Sequence, residues 1–211
     1  MNVFQFFFRN GAEVLDLTLE HLWLVGVSTL LAVVVGVPLG ILLTRRPSLS
    51  KPVLGTANIL QTIPSLALFG FLLPAPWIGE RAERLAILAL TLYALLPIIR
   101  NTYTGITGVD RAVVEAGRGM GMTDQQLLWQ VELPLALAVI LAGVRVATVI
   151  SVGVATIAAA VGAGGLGEYI FRGVAMVDNQ LILAGAIPAA LLALLADLSL
   201  GLAERRLAPG R

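Results

Sequence analysis

The stretch Val114-Glu115-Ala116-Gly117-Arg118-Gly119-Met120-Gly121-Met122-Thr123-Asp124-Gln125-Gln126-Leu127-Leu128-Trp129-Gln130-Val131-Glu132-Leu133-Pro134 decides how the rest of the chain is read. It spells two short helices joined at a glycine. Ala112 to Met120 is long enough for about two helical turns. Gly121 permits a sharp change of direction, at a place a β-carbon would crowd. Thr123 suits an N-cap, and Asp124 places negative charge in the first turn of the next helix, where the dipole favours it. Leu127, Leu128 and Val131 give that helix an apolar side. Pro134 fits the first turn of a following helix, where its missing N–H has no partner anyway.

Outward from this polar elbow the chain belongs in lipid. Of its 211 residues 58% are hydrophobic and 13% charged, with a mean hydropathy of +0.91. A soluble chain carries about a quarter charged residues. A bilayer core takes about 20 apolar helical residues, and five stretches qualify: Leu22 to Leu43, Leu54 to Leu73 with Pro64 inside, Leu85 to Ile99 with Pro97 inside, Leu133 to Ala160, and Leu181 to Leu202. Splitting the fourth together with the glycine-rich Gly162 to Gly173 gives six as the alternative. Phe4 to Phe8 is apolar but short and is followed by Glu13, Asp16 and Glu20, so it reads as an interfacial segment rather than a signal peptide. The chain is an all-α polytopic membrane protein, one domain over 1–211 with the polar segment 108–134 inside it.

Basic residues near helix ends set orientation. Arg45, Arg46 and Lys51 follow the first stretch, and Arg205, Arg206 and Arg211 follow the fifth. Arg81 and Arg84 are balanced by Glu80 and Glu83. Five crossings with the N-terminus outside and the C-terminus inside place every basic cluster, and the elbow, in the cytoplasm. Five helices are too few to enclose a solute pathway, so a second subunit is expected. The spacing Gly36 to Gly40 serves ordinary helix packing or a dimer seam.

Other chemistry is bounded by what the sequence contains. Net charge is +1, which carries no nucleic-acid footprint. Without cysteine, and with His21 alone, the sequence provides neither thiolate nor multi-histidine metal sites, and no paired intramembrane carboxylates suggest an embedded enzyme. Polar groups inside lipid are costly and therefore informative. Asn58, Gln61 and Thr62 flank Pro64, either lining a pathway or bonding between helices. Arg145 stands about 16 Å beyond Pro134 and Asp197 about 12 Å before Arg205, at 1.5 Å per residue. They are candidate partners, unless Arg145 faces a water-filled vestibule. Trp77 and Tyr169 fit an aromatic belt at the outer interface.

The elbow resembles the EAA motif of ABC importer permeases: Glu-Ala-Ala, three residues, Gly, nine residues, then Ile-x-Leu-Pro. Here Glu115-Ala116-Gly117, Gly121 and Val131-Glu132-Leu133-Pro134 stand at that spacing, with Gly117 for the second Ala and Val131 for Ile. Gln61 to Gly70, Leu92 to Ile106 and Ala160 to Gly167 are similar to the osmoprotectant branch. The resemblance implies a MetI-like, type I importer fold in a bacterial inner membrane. It further implies import of glycine betaine, choline or carnitine, with methionine or another amino acid as the alternative and a carrier or channel as the competing class. ATP and Mg would be bound by a separate ATPase, leaving this chain without cofactor or catalysis. A second permease and an extracytoplasmic binding protein complete the implied assembly. By position, Glu115, Ala116 and Gly121 would shape the elbow. Met122, Thr123 and Leu127 would face the ATPase, and Gly117 and Pro134 would complete the coupling segment.

Overall fold

The computed structural model describes residues 3–76 and 81–207, with side chains from Gln5 onward. Trp77, Glu80 and Arg211 lie outside those residues. Regular structure among the described residues is entirely helical: α1 (Val3–Arg9), α2 (Gly11–Arg45), α3 (Pro47–Thr62), α4 (Ser65–Leu72), α5 (Ala82–Thr107), α6 (Arg111–Gly119), α7 (Asp124–Leu127), α8 (Leu133–Ala158), α9 (Gly167–Met176) and α10 (Asn179–Leu207). A π-helical turn, Leu128–Glu132, joins α7 to α8, and a 3-10 turn, Ala159–Val161, follows α8.

Four helical runs are long and apolar enough to cross a membrane: α2, α5, α10 and the continuous Asp124–Val161. The second stretch is not straight. Ile63 is extended (φ −69, ψ 125), as the residue before a proline prefers, and α3 and α4 meet there at 100°. Two contacts show what this bent pair accomplishes. Trp23 Nε1 donates to Glu83 Oε1 at 2.8 Å, which puts the starts of α2 and α5 at one end of the bundle. Arg45, closing α2, pairs with Glu132 at the start of α8, at the other end. The chain therefore returns between those ends through α3 and α4, making a fifth traverse. A sixth has no helix among the described residues: α8 is unbroken, and the 10 residues of α9 reach only about 15 Å.

α5 is the buried centre, with α2 on one side and α8 on the other. A β-carbon at Gly40 would stand 2.6 Å from Thr102 Cβ, and one at Gly36 2.9 Å from Ile98 Cγ2. That glycine pair is thus an intramolecular seam against α5, not one between subunits. Pro97 cannot donate to the Tyr93 carbonyl, and Gln61 Nε2 takes the vacant acceptor at 2.9 Å. Tyr93 returns the contact, its hydroxyl donating to the Ile63 carbonyl beside the bend. The two prolines thereby lock α3 to α5.

Several bounds differ from the sequence reading: α3 starts at Pro47 and α5 runs on to Thr107, and α2 and the glycine-rich segment differ more. α2 begins at Gly11 rather than Leu22, because no proline interrupts the acid-rich stretch and it continues the helix. The glycine-rich segment is only half a loop. Gly162, Gly164 and Gly165 have φ near +80, and α9 follows at once.

Candidate functional site: the elbow between α6 and α8

Asp110 caps α6, its Oδ1 accepting from Ala112 N at 2.9 Å. The helix ends in a Schellman arrangement: Met122 N donates to Gly117 O at 3.1 Å and Gly121 N to Arg118 O at 2.9 Å, with Gly121 left-handed at φ 83. Nothing stands within 4 Å of where a β-carbon on Gly121 would lie. The expectation of crowding is therefore corrected; glycine is needed for the backbone angle.

α7 starts in a capping box. Gln126 N donates to Thr123 Oγ1 at 3.2 Å and Thr123 N to Gln126 Oε1 at 2.9 Å, satisfying two otherwise unpaired donors. Met122 and Leu127, which flank the box as a hydrophobic staple, close over Gly117. A β-carbon there would meet Leu127 Cδ1 at 2.7 Å and Met122 Sδ at 3.2 Å. Glycine in place of the motif's second alanine leaves room for that packing.

This arrangement corrects two expected roles. Leu127 is fully buried (0% exposed) and anchors the elbow from within, so it does not face a partner. Glu115 is exposed and pairs with Arg111 of its own helix at 3.7 Å, away from the bend. Ala116 is likewise exposed. The bend is set instead by Gly117, Gly121, Met122, Thr123 and Gln126. Met120, 78% exposed, and Val113 present unforeseen apolar surface. Pro134 lies in the first turn of α8, directly after the π turn.

The intramembrane candidates divide. Arg145 Nε and Nη2 donate to Asp197 Oδ1 and Oδ2 at 2.6 and 2.8 Å, and Nη1 to Glu204 Oε2 at 3.3 Å. Asn58 accepts from Arg100 Nη2 at 2.7 Å, and Gln61 is committed to α5. Thr62 bonds its own helix at Ile59 O, 2.7 Å away. Gln61, Thr62, Pro64, Ser65, Tyr93 and Ile150 line a recess of about 360 Å³ at the bend.

The opposite end was less legible. Glu20 Oε2 accepts from Gly165 N at 3.0 Å and His21 Nε2 meets Val152 O at 3.1 Å, tying α2 to the glycine turn and α8. Tyr169 is 1% exposed, edge-on to Phe6 and under Arg172, so it is a core residue and not a belt anchor. Burial and the nearby Glu13 carboxylate push its phenol up to about 12. From α1, Phe6 and Phe7 pack against this region.

The family profile described as "Binding-protein-dependent transport system inner membrane component" matches residues 36–209, elbow and π turn included. The chain belongs to that family. Among curated proteins it is similar to a carnitine transport permease of Listeria monocytogenes, 47% identical over 97% of this chain and 92% of the relative. A choline transport system permease of Bacillus subtilis is 44% identical over 99% and 94%. An osmoprotectant import permease of Salmonella typhimurium is 45% identical over 93% of each. Among solved permease structures, an inward-facing methionine ABC transporter, MetNI, superposes with a TM-score of 0.81 at 27% identity, over 89% of this chain and 93% of that one. An amino acid ABC transporter superposes at 0.74 and 19% identity, which speaks to fold alone. The permease is thus a multi-pass membrane protein of the MetI-like fold, with four spanning helices among the described residues and a fifth traverse where the bent pair of α3 and α4 counts as one.

Proposed function

We propose that this permease forms the membrane pathway of an ATP-driven importer for osmoprotectants such as glycine betaine, choline and carnitine. It performs no chemistry itself. ATP and Mg are bound by separate cytoplasmic ATPase subunits, the solute is delivered by an extracytoplasmic binding protein, and a second permease, identical or related, completes the pathway. The single observation that carries the mechanical part is the elbow from the Asp110 cap to Leu127, within the segment 108–134. Caps at both helices, a Schellman turn and a staple over Gly117 make it a short rigid body that transmits displacement without bending. Its exposed residues, Val113, Glu115, Ala116, Met120 and Thr123, with the half-buried Met122, form the docking face.

Substrate class rests on the curated relatives, which are 44–47% identical and carry carnitine, choline or osmoprotectant names. The methionine transporter has the same fold at 27%, so a methionine or other amino-acid substrate is the second reading. The pathway side of the molecule is the α3–α4 bend, where Thr62 and Ser65 edge an open recess.

The test is uptake by proteoliposomes holding the permease with its ATPase and binding protein. Labelled glycine betaine, choline or carnitine should accumulate only with internal ATP, and methionine should not compete. Accumulation without an ATPase would return a carrier to first place.

A further inference from the structure

Glu132 is 5% exposed, yet it is a carboxylate at a membrane edge. Arg45 Nη2 pairs with its Oε2, and Nη1 donates to Oε1 at 3.3 Å. Arg45 is the last residue of α2 and Glu132 the last of the π turn between α7 and α8. Among the described residues it is the one ion pair that ties the run from α7 through the π turn to a membrane-spanning helix; Asp124 of α7 also meets Arg118 of α6, at 3.9 Å. Glu132 is buried while Arg45 stays exposed. A half-buried pair of this kind often adds little stability over apolar residues of similar volume, which points to a positioning role.

The surrounding backbone supports that role. Pro134 cannot donate to the Gln130 carbonyl, and the ladder passes through the wider π register, Leu133 N bonding Leu128 O. π turns within α-helices commonly mark functional positions. Here one lies between the capped α7 and the membrane span α8. The Arg45 fork grips that turn from the side. It connects the turn directly to α2, which is seated along α5 by Gly36 and Gly40.

We propose that the Arg45–Glu132 pair is a strut carrying movement of the elbow into α2, which makes both side chains positioning residues for ATP-driven transport. The proposal rests on the importer reading above. It is tested in the reconstituted complex by measuring solute imported per ATP hydrolysed, with glycine betaine, choline and carnitine as solutes. In Glu132→Gln and Arg45→Gln complexes that ratio should fall roughly tenfold, within the range of couplings between distant sites. The exchanged pair Arg45→Glu with Glu132→Arg should regain most of it. If the neutral variants do not assemble, Arg45→Lys decides, because it keeps the charge but reaches one oxygen rather than two. Its ratio should fall at least about twofold, as a lost charge-assisted bond implies. Variants whose ratio equals that of the unaltered complex, whatever their abundance, would reduce the pair to an anchor and overturn the strut. So would an exchanged pair with no recovery. Failure of the unaltered complex to import with ATP would count against the importer reading instead, which keeps the two failures distinct.

Discussion

Gly121 shows how one backbone angle can carry a mechanism. Its φ of 83 lies where L-residues are strained, with open space around it. Strain of this kind costs on the order of 1–3 kcal/mol and is greatest for β-branched side chains. Gly121→Val should therefore insert normally yet lose solute-stimulated ATP hydrolysis by about 5- to 150-fold, as a coupling of that size implies. Gly121→Asn, which tolerates the left-handed region, should keep most of it. Equal damage from Asn and Val would mean that space, not angle, governs the site. At this scale the sequence was readable wherever chemistry is local. Thr123 announced a cap three residues before its partner Gln126. Arg45 and Glu132, 87 positions apart, share no local signal, and their contact exists only after α2 and α8 have packed.

Helices connect these residues, and the apolar stretches marked them because lipid demands about 20 consecutive apolar residues. Their ends were harder to read. The start of α2 carries Glu13, Asp16 and Glu20 and looks like loop by charge, yet it contains no breaker and stays helical. α9 was hidden among glycines, and the turn before it is held by Glu20 from 145 positions away. The pairing of Arg145 with Asp197 followed from depth alone and links α8 to α10; Glu204, one helical turn beyond Gly201, joins them. Asymmetric losses follow from that third member. Arg145→Ala strands two carboxylates, whereas Asp197→Ala leaves Arg145 its contact with Glu204. Membrane-assembled permease, measured by quantitative immunoblot, should fall further for Arg145→Ala than for Asp197→Ala. The double variant should fall by less than the two losses combined, since it leaves only Glu204 stranded. Additive losses would argue that the three groups act independently.

For the whole molecule, the helix contacts define two ends before any membrane is considered. One end gathers Arg45, Arg46, Lys51, Arg100, Arg111, Arg118, Arg205 and Arg206 around the elbow. The other has Arg9, Arg81, Arg84 and Arg172 beside the glycine turn and α9. Lysine and arginine excess, not net charge, sets topology, so the expected orientation has the elbow end cytoplasmic and the N-terminus external. That orientation also puts the proposed docking face on the side where ATP is. The chain contains no cysteine, so single cysteines report without background. Thr123→Cys, on the exposed cap of α7, and Val174→Cys, on the exposed side of α9, mark the two ends. An impermeant maleimide applied to intact cells should label Val174→Cys and spare Thr123→Cys, and permeabilised cells should label both. The reverse pattern would turn the molecule over. It would also place the elbow on the side that has no ATPase, and so remove the mechanical argument for an importer along with the topology.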